Sequence, residues 1–207
     1  MKTDRIDVDR TLLAFGAAGP LLFAISLVVL GAAVPGYDHA SNAISELGAK
    51  GSPVAAVMNS VFFMLGISMA GFALGLYRSV SRNAAGRAGA AALFLGGIFM
   101  FLTGVFPCDP DCINVSYSGT MHDAVSILPV LFGILSMVLF GIGVEGSPLG
   151  KYRTHLFAAA SLSVIIGYFY MAVDGPLPRM IQRGAVAVPL GTMVIVSLVV
   201  MKGTKRK

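Results

Sequence analysis

Charge is scarce in this sequence: Lys, Arg, Asp and Glu make up 12% of its 207 residues, where a soluble domain carries about 25%. That scarcity excludes an intrinsically disordered chain, which stays solvated by its charge, and a nucleic-acid-binding domain, which grips phosphates with clustered cations. A cytosolic enzyme fits poorly for the same reason. Tryptophan is absent, histidine occurs three times and cysteine twice. Two cysteines cannot frame a disulfide-rich secreted scaffold or a four-thiolate zinc site. No long linker and no repeat of fixed period divides the chain, so a single domain over residues 1–207 is expected.

What the chain has in abundance is apolar side chains, 56% of the total, with 25 glycines, and the bilayer is therefore its expected solvent. About 20 apolar residues cross a hydrocarbon core about 30 Å thick. Six windows qualify, at about 12–34, 55–77, 88–106, 121–144, 155–173 and 185–201. The expected fold is all-α, a polytopic transmembrane bundle of six helices. The first window is too long for a signal-peptide core and reads as an uncleaved anchor. Small residues recur at four-residue spacing, as in Gly71/Gly75 and Gly66/Ala70, which lets helix backbones approach closely.

Orientation follows from the cations, because basic flanks resist translocation. Lys2, Arg5, Arg10, Arg78, Arg82, Arg87, Lys151, Arg153, Lys202, Lys205, Arg206 and Lys207 fall on one side, twelve of fifteen. Lys50, Arg179 and Arg183 fall on the other. Both termini are accordingly expected in the cytoplasm and the protein in the cell membrane. The net charge of +5 is then a topological bias, with no nucleic-acid partner implied.

The outward connections hold most of the reactive side chains. The first, residues 35–53, carries Asp38, His39, Ser41, Asn42, Ser45 and Glu46, and its AISELG stretch suits a short interfacial turn or an ordinary solvated loop. The second contains Cys108 and Cys112 on the oxidising side, where a disulfide is the leading expectation. Pro110 and its two Asp neighbours favour the tight turn that bridge needs. His122 opens the fourth span, and Ser45 or Ser118 beside it would form a nucleophile and base. A site of His39, His122 and Glu46 or Asp109 has a metal-ligand composition, but His155 lies a bilayer away and cannot join it; neither metal nor cofactor is expected. The third outer connection, DGPLPRMIQRG, presents Asp174, Arg179, Gln182 and Arg183. Its cations oppose the general bias, so they call for an acidic partner such as Glu46 or Asp109, or for an anionic headgroup.

The order Ser41-Asn42-Ala43-Ile44-Ser45-Glu46-Leu47-Gly48-Ala49, then Gly51, Pro53 and Asn59, then Phe106-Pro107-Cys108-Asp109, Gly119, His122 and Ile181-Gln182-Arg183, resembles a family of bacterial and archaeal multi-pass membrane proteins, domain of unknown function 998 (DUF998). The resemblance implies a six-helix bundle with Glu46, Asn59, Asp109, His122 and Arg183 gathered toward the outer face. It implies no reaction. A looser likeness to six-helix eukaryotic proteins linked to lipid remodelling suggests a lipid-related role.

Two functions follow as expectations. In the first, the protein binds or processes a lipid or other amphiphile at an outward-facing polar site. Glu46, His122 and Ser45 are the candidate catalytic residues, and Asn59, Asp109, Arg179, Gln182 and Arg183 the candidate binding residues. In the second, it is a transporter or a non-catalytic subunit of a membrane complex, with other subunits or a second copy as partners. The sequence does not decide whether it is an enzyme.

Overall fold

The computed structural model describes residues 2–172 and 177–204. Asp174 and the tail cations Lys205, Arg206 and Lys207 lie outside the described residues. Seven α-helices are present: α1 (Lys2–Ala33), α2 (Ala55–Ser79), α3 (Ala84–Val105), α4 (Tyr117–Ser126), α5 (Leu128–Gly143), α6 (Arg153–Ala172) and α7 (Leu177–Thr204). Short 3₁₀ turns occupy Ile44–Gly48, Pro110–Cys112 and Gly150–Tyr152. No strand occurs among the described residues.

The expected fourth span is one rod broken at Ile127. Pro129 stands in the first turn of α5 and has no N–H to donate to the turn below, so the helical ladder stops there and restarts. Counting α4 and α5 together, the protein has six rods. Five are long and apolar enough to cross a membrane, the described parts of α1, α2, α4–α5, α3 and α7. α6, with 20 residues, opens on Arg153, Thr154 and His155 and is not among the five counted over the described residues. A second departure from the sequence expectation is at α7. Residues 177–184 were expected in the third outer connection, which Asp174, Arg179, Gln182 and Arg183 crowd, but α7 already begins at Leu177. A proline in the first turn of a helix loses no hydrogen bond. Arg179, Gln182 and Arg183 thus sit on a rigid element.

The rods form a closed ring. Each packs on the next in chain order, and α7 returns to pack on α1. Close approach between α2 and α3 rests on glycine: a Cβ on Gly97 would lie 2.7 Å from the Gly66 carbonyl oxygen and 2.8 Å from the Ala70 amide nitrogen. Gly75 meets the backbone of α1 at Leu13 in the same way, at 3.0 Å. These contacts are backbone on backbone, gained by dispersion and lost if a side chain intervenes. Serines add neutral ties across the ring. Ser197 Oγ donates to the Leu13 carbonyl at 2.7 Å, and Ser68 Oγ to that of Phe15 at 2.5 Å.

The outer surface of the ring is as apolar as its interior. Ile25 and Val28 on α1, Met64 and Ile67 on α2, Ile98 and Phe101 on α3 and Ile195 and Leu198 on α7 are exposed. Exposure on every rod suits hydrocarbon as the solvent, where no water must be ordered around them.

Gly97→Leu should lower the melting temperature in detergent by several degrees or prevent folding, since overpacking costs about 1–3 kcal/mol even where side chains can yield and here only backbone is in the way. Gly191 has nothing within 4 Å of its Cβ position. Gly191→Leu should therefore melt at or above the parent temperature, because Leu is the better helix former. Equal melting of the two variants would contradict the glycine-mediated packing.

Candidate functional site

The first outer connection is shaped by its own short polar residues. Asp38 accepts from the Ala40 amide at 3.0 Å and from the Ser41 hydroxyl at 2.9 Å, and the Asn42 side-chain oxygen accepts from the Asp38 amide at 2.9 Å. Such side-chain-to-backbone bonds make a compact turn without a regular element. They also hold the Asp38 carboxyl below the usual carboxylate range, the Ala40 amide contributing most and the Ser41 hydroxyl next. The turn feeds the 3₁₀ segment Ile44–Gly48, where Glu46 reaches back to accept from the Ala43 amide at 2.7 Å and from the Asn42 side-chain nitrogen at 2.5 Å. This is half of a capping box, since Ala43 has no acceptor to return. Asn59 on α2 completes the hold by donating to the Gly48 carbonyl at 2.9 Å.

The outer end of α7 clamps this turn. Gln182 accepts the Ile44 amide at 3.1 Å. Arg183 donates to the carbonyl oxygens of Asn42 at 2.9 Å and Arg179 at 3.0 Å, and to the Tyr37 hydroxyl at 2.8 Å. Tyr37 passes the chain of bonds on, donating to the Ala43 carbonyl at 3.1 Å. Burial raises the Tyr37 hydroxyl above its ordinary pKa, with the Arg183 charge opposing and the Glu46 charge reinforcing the shift. His39 packs edge-on to the Tyr37 ring at 5.2 Å. Glu46 and Arg183 thus grip one turn from two sides, but no ion pair joins them among the described residues. The acidic partner that the sequence called for is replaced by carbonyls and a phenol. Arg179 contributes its carbonyl.

Asp109 is the centre of a second cluster. It is 1% exposed and accepts from the Lys50 ammonium at 2.8 Å, the Ser116 hydroxyl at 2.7 Å and the Val115 and Ser116 amides at 2.9 and 2.8 Å. Every donor favours the ionised form, the Lys50 bond most and the Ser116 hydroxyl next, so the carboxyl is held far below the usual aspartate range. The lone cation of the first outer connection therefore ties that connection to the second, and Lys50 also donates its amide to the Cys108 carbonyl at 2.9 Å. Cys108 and Cys112 form a disulfide with Cα atoms 5.1 Å apart. The Cys108 sulfur lies 3.3 Å from the Ser45 carbonyl oxygen, a contact without a proton because a disulfide sulfur has none to donate.

His122 is 3% exposed and its Nδ1 lies 2.7 Å from the Phe106 carbonyl oxygen. A carbonyl only accepts, so this nitrogen carries the ring proton. The Nε2 is buried without a partner among the described residues. Ser118 Oγ donates to the Pro107 carbonyl at 2.8 Å, and no hydroxyl or carboxylate among the described residues is hydrogen-bonded to the imidazole. None of Ser45, Ser118 and Glu46, the expected catalytic partners, is hydrogen-bonded to His122, which ties α4 to the end of α3. The structure thus brings together Glu46, Asn42, Tyr37, Gln182 and Arg183 in one network and Asp109, Lys50 and Ser116 in another. Among the described residues no group of three His, Cys, Asp or Glu is placed to hold a metal ion.

Beneath the clamped turn lies a cavity of about 660 Å³ inside the ring. Its walls are largely apolar, with Phe23, Phe62, Ile134 and Ala185 among them. Ser45 and Gln182 form its roof, and Thr103, Asp123, Ser126 and Ser163 add polar atoms. Leu131, Val164 and Tyr168 line it yet are 51%, 55% and 70% exposed, so it opens sideways between α5 and α6. Gly167, also in the lining, has nothing within 4 Å of its Cβ position. Further in, a narrower space of about 60 Å³ shares Met100, Val130 and Val186 with it. Ser45 and Gln182 are the expected site residues that reach the cavity. Glu46 instead lines an open cleft of about 440 Å³ on the outer surface, with Lys50 and Asp111. A cavity made by side chains from six rods has no signature in any one of them, and sequence reasoning missed it; it also missed Lys50 as the partner of Asp109.

A family model described as protein of unknown function (DUF998) matches residues 17–201. No curated protein and no solved structure matches the chain.

The Asp109 cluster gives a pH-dependent prediction. Below the ordinary aspartate range near pH 4, the unfolded chain takes up a proton that the folded carboxylate refuses. The stability it supplies is therefore complete above about pH 4 and declines as pH falls further. Asp109→Asn should melt several degrees below the parent at pH 7, with the gap narrowing as pH falls below about 4. A gap that does not change with pH would show that the charge is unimportant.

Proposed function

The chain belongs to the DUF998 family, and we propose that it is a multi-pass membrane protein that holds the apolar chain of an amphiphile in the cavity beneath its outer turn. The observation that carries this reading is the cavity itself. At about 660 Å³ it has the volume of a small-molecule site, which is typically about 300–1,000 Å³. Its lining combines an apolar wall with a few polar side chains, Ser45 and Gln182 in the roof among them, as an amphiphile combines an apolar chain with a polar head. The sideways opening between α5 and α6 gives a membrane-dissolved molecule a path that avoids water.

The charged residues of the outer face have a different part in this reading. Arg183, Glu46, Asn59 and Asp109 are spent on backbone carbonyls and amides and on the side chains of Tyr37, Asn42 and Lys50. They hold the roof in place, and the ligand meets Ser45 and Gln182. A transporter is less well supported, since it needs free polar groups at mid-depth. The hydroxyls there are satisfied by helix carbonyls, as Thr103 by Phe99, Ser163 by Ala159 and Thr192 by Val188. By the twelve-to-three partition of cations, both termini face the cytoplasm of a cell-membrane protein.

Gly167→Leu tests the cavity without disturbing the packing, because the added side chain enters open space. It should leave melting unchanged or raised and cut the lipid that copurifies with the protein several-fold, as read by native mass spectrometry. Gly191→Leu, which gains the same helix propensity away from the cavity, should leave the bound lipid unchanged. Equal lipid loading of the parent and both variants would contradict the proposal. For topology, a green fluorescent protein fused to the C-terminus should fluoresce and an alkaline phosphatase fused there should be inactive; the reverse would invert the orientation.

A further inference from the structure

The charge of the cavity narrows what its occupant can be. Among its described lining residues only Asp123 is charged, and no Lys, Arg or His is among them. Asp123 is exposed on the first turns of α4 and is oriented by Asn114, whose side-chain nitrogen donates to Asp123 Oδ2 at 2.5 Å. That bond uses one side of the carboxylate, and among the described residues no hydrogen bond engages the other oxygen, Oδ1. Tyr168 and Tyr170 line the same cavity from α6, and Tyr168 is also an exposed rim residue. A carboxylate and phenol rings lining one mouth form a site for a cation, by charge and by attraction to the ring faces. Arg183 is bound to backbone carbonyls and Tyr37, and neither it nor Arg179 is among the described lining residues, so an anionic head in the cavity would meet the Asp123 carboxylate with no cation of the described lining to pair it.

Resting on the amphiphile reading above, we propose that the occupant is a cationic amphiphile, a long-chain amine or quaternary ammonium, with its chain against Phe23, Phe62 and Ile134 and its head at Asp123. Gln182 and Ser45 then close the roof over the chain as neutral groups, which neither select for nor against the charge. The head stays at the portal between α5 and α6, where water screens it in part, so the expected selectivity is modest. An ion pair in such a setting contributes roughly 0.2–1 kcal/mol, which is a preference of about 1.5- to 5-fold.

The test uses the full-length protein in phosphatidylcholine nanodiscs and two photoaffinity probes of equal chain length, hexadecylamine and hexadecanoic acid, each with a mid-chain diazirine. Crosslinked peptides are mapped by mass spectrometry. The amine should label cavity residues such as Phe62 and Ile134 about three- to five-fold more than the acid. Asp123→Asn, which keeps the shape and a bond to Asn114, should remove that preference; Asp123→Glu should retain it, and Asp123→Lys should turn it toward the acid. All three variants and the parent are checked for equal melting, and a variant that fails this check is replaced in the comparison by the others. Equal cavity labelling by both probes, unchanged by Asp123→Asn, would overturn the cationic assignment and leave the cavity reading standing. Labelling confined to the lipid-facing surface with both probes would overturn the two together.

Discussion

A loop between two membrane-crossing helices brings bare backbone amides and carbonyls to the edge of the hydrocarbon, where each unpaired group costs several kcal/mol. In this protein the groups are paired by one short stretch of α7. Gln182 takes the Ile44 amide, and Arg183 reaches the Asn42 carbonyl and the Tyr37 hydroxyl. Because those partners lie about 140 residues earlier in the chain, the same bonds also tie the last rod to the loop that follows the first. The ring closure between α1 and α7 and the position of the roof both depend on them. An arginine suits this task because its planar fork offers several donors in fixed directions and stays charged.

Two kinds of polar residue then separate. Glu46, Asn59, Asp109, Lys50 and Arg183 form a framework whose hydrogen bonds are directed at the protein itself. Ser45, Gln182 and Asp123 face the cavity. The framework explains how a turn of five residues at the membrane surface can be held over an open space below. A void of this size would collapse under floppy loops, but here its cover is fixed to α2 through Asn59, to α7 through Gln182 and Arg183 and to the second outer connection through Lys50 and Asp109. The disulfide between Cys108 and Cys112 restrains the residues flanking Asp109, and with them the strongest of these anchors.

Much of the fold was legible in the sequence, because runs of about 20 apolar residues leave few alternatives. All six windows fall on helical rods, and among the described residues five are long and apolar enough to cross a membrane. The start of α7 was placed too late because Asp174, Arg179, Gln182 and Arg183 crowd that stretch as they would a loop, although a helix tolerates them, and a proline in its first turn, at its end. The candidate site was legible as a set of residues and not as a set of pairs. Asp109 was offered beside Glu46 as an acidic partner for Arg179 and Arg183, but its partner is Lys50, and His122 turned to a carbonyl of Phe106. Carbonyls are present at every position and so leave no trace in composition or spacing. The Cys108–Cys112 bridge was the easier inference, since four residues with an intervening proline define their own geometry.

The central claim is that a rigid, clamped roof covers a space occupied by an apolar chain. An electron cryomicroscopy map of the protein in lipid nanodiscs, at a resolution that shows side chains, tests it most directly. The account predicts an elongated density running from the opening between α5 and α6 past Ile134 to Phe23 and Phe62, with the Gln182 and Arg183 bonds to the first outer connection intact above it. A cavity closed by inward movement of α6, or filled by separate water peaks beneath an intact roof, would contradict it.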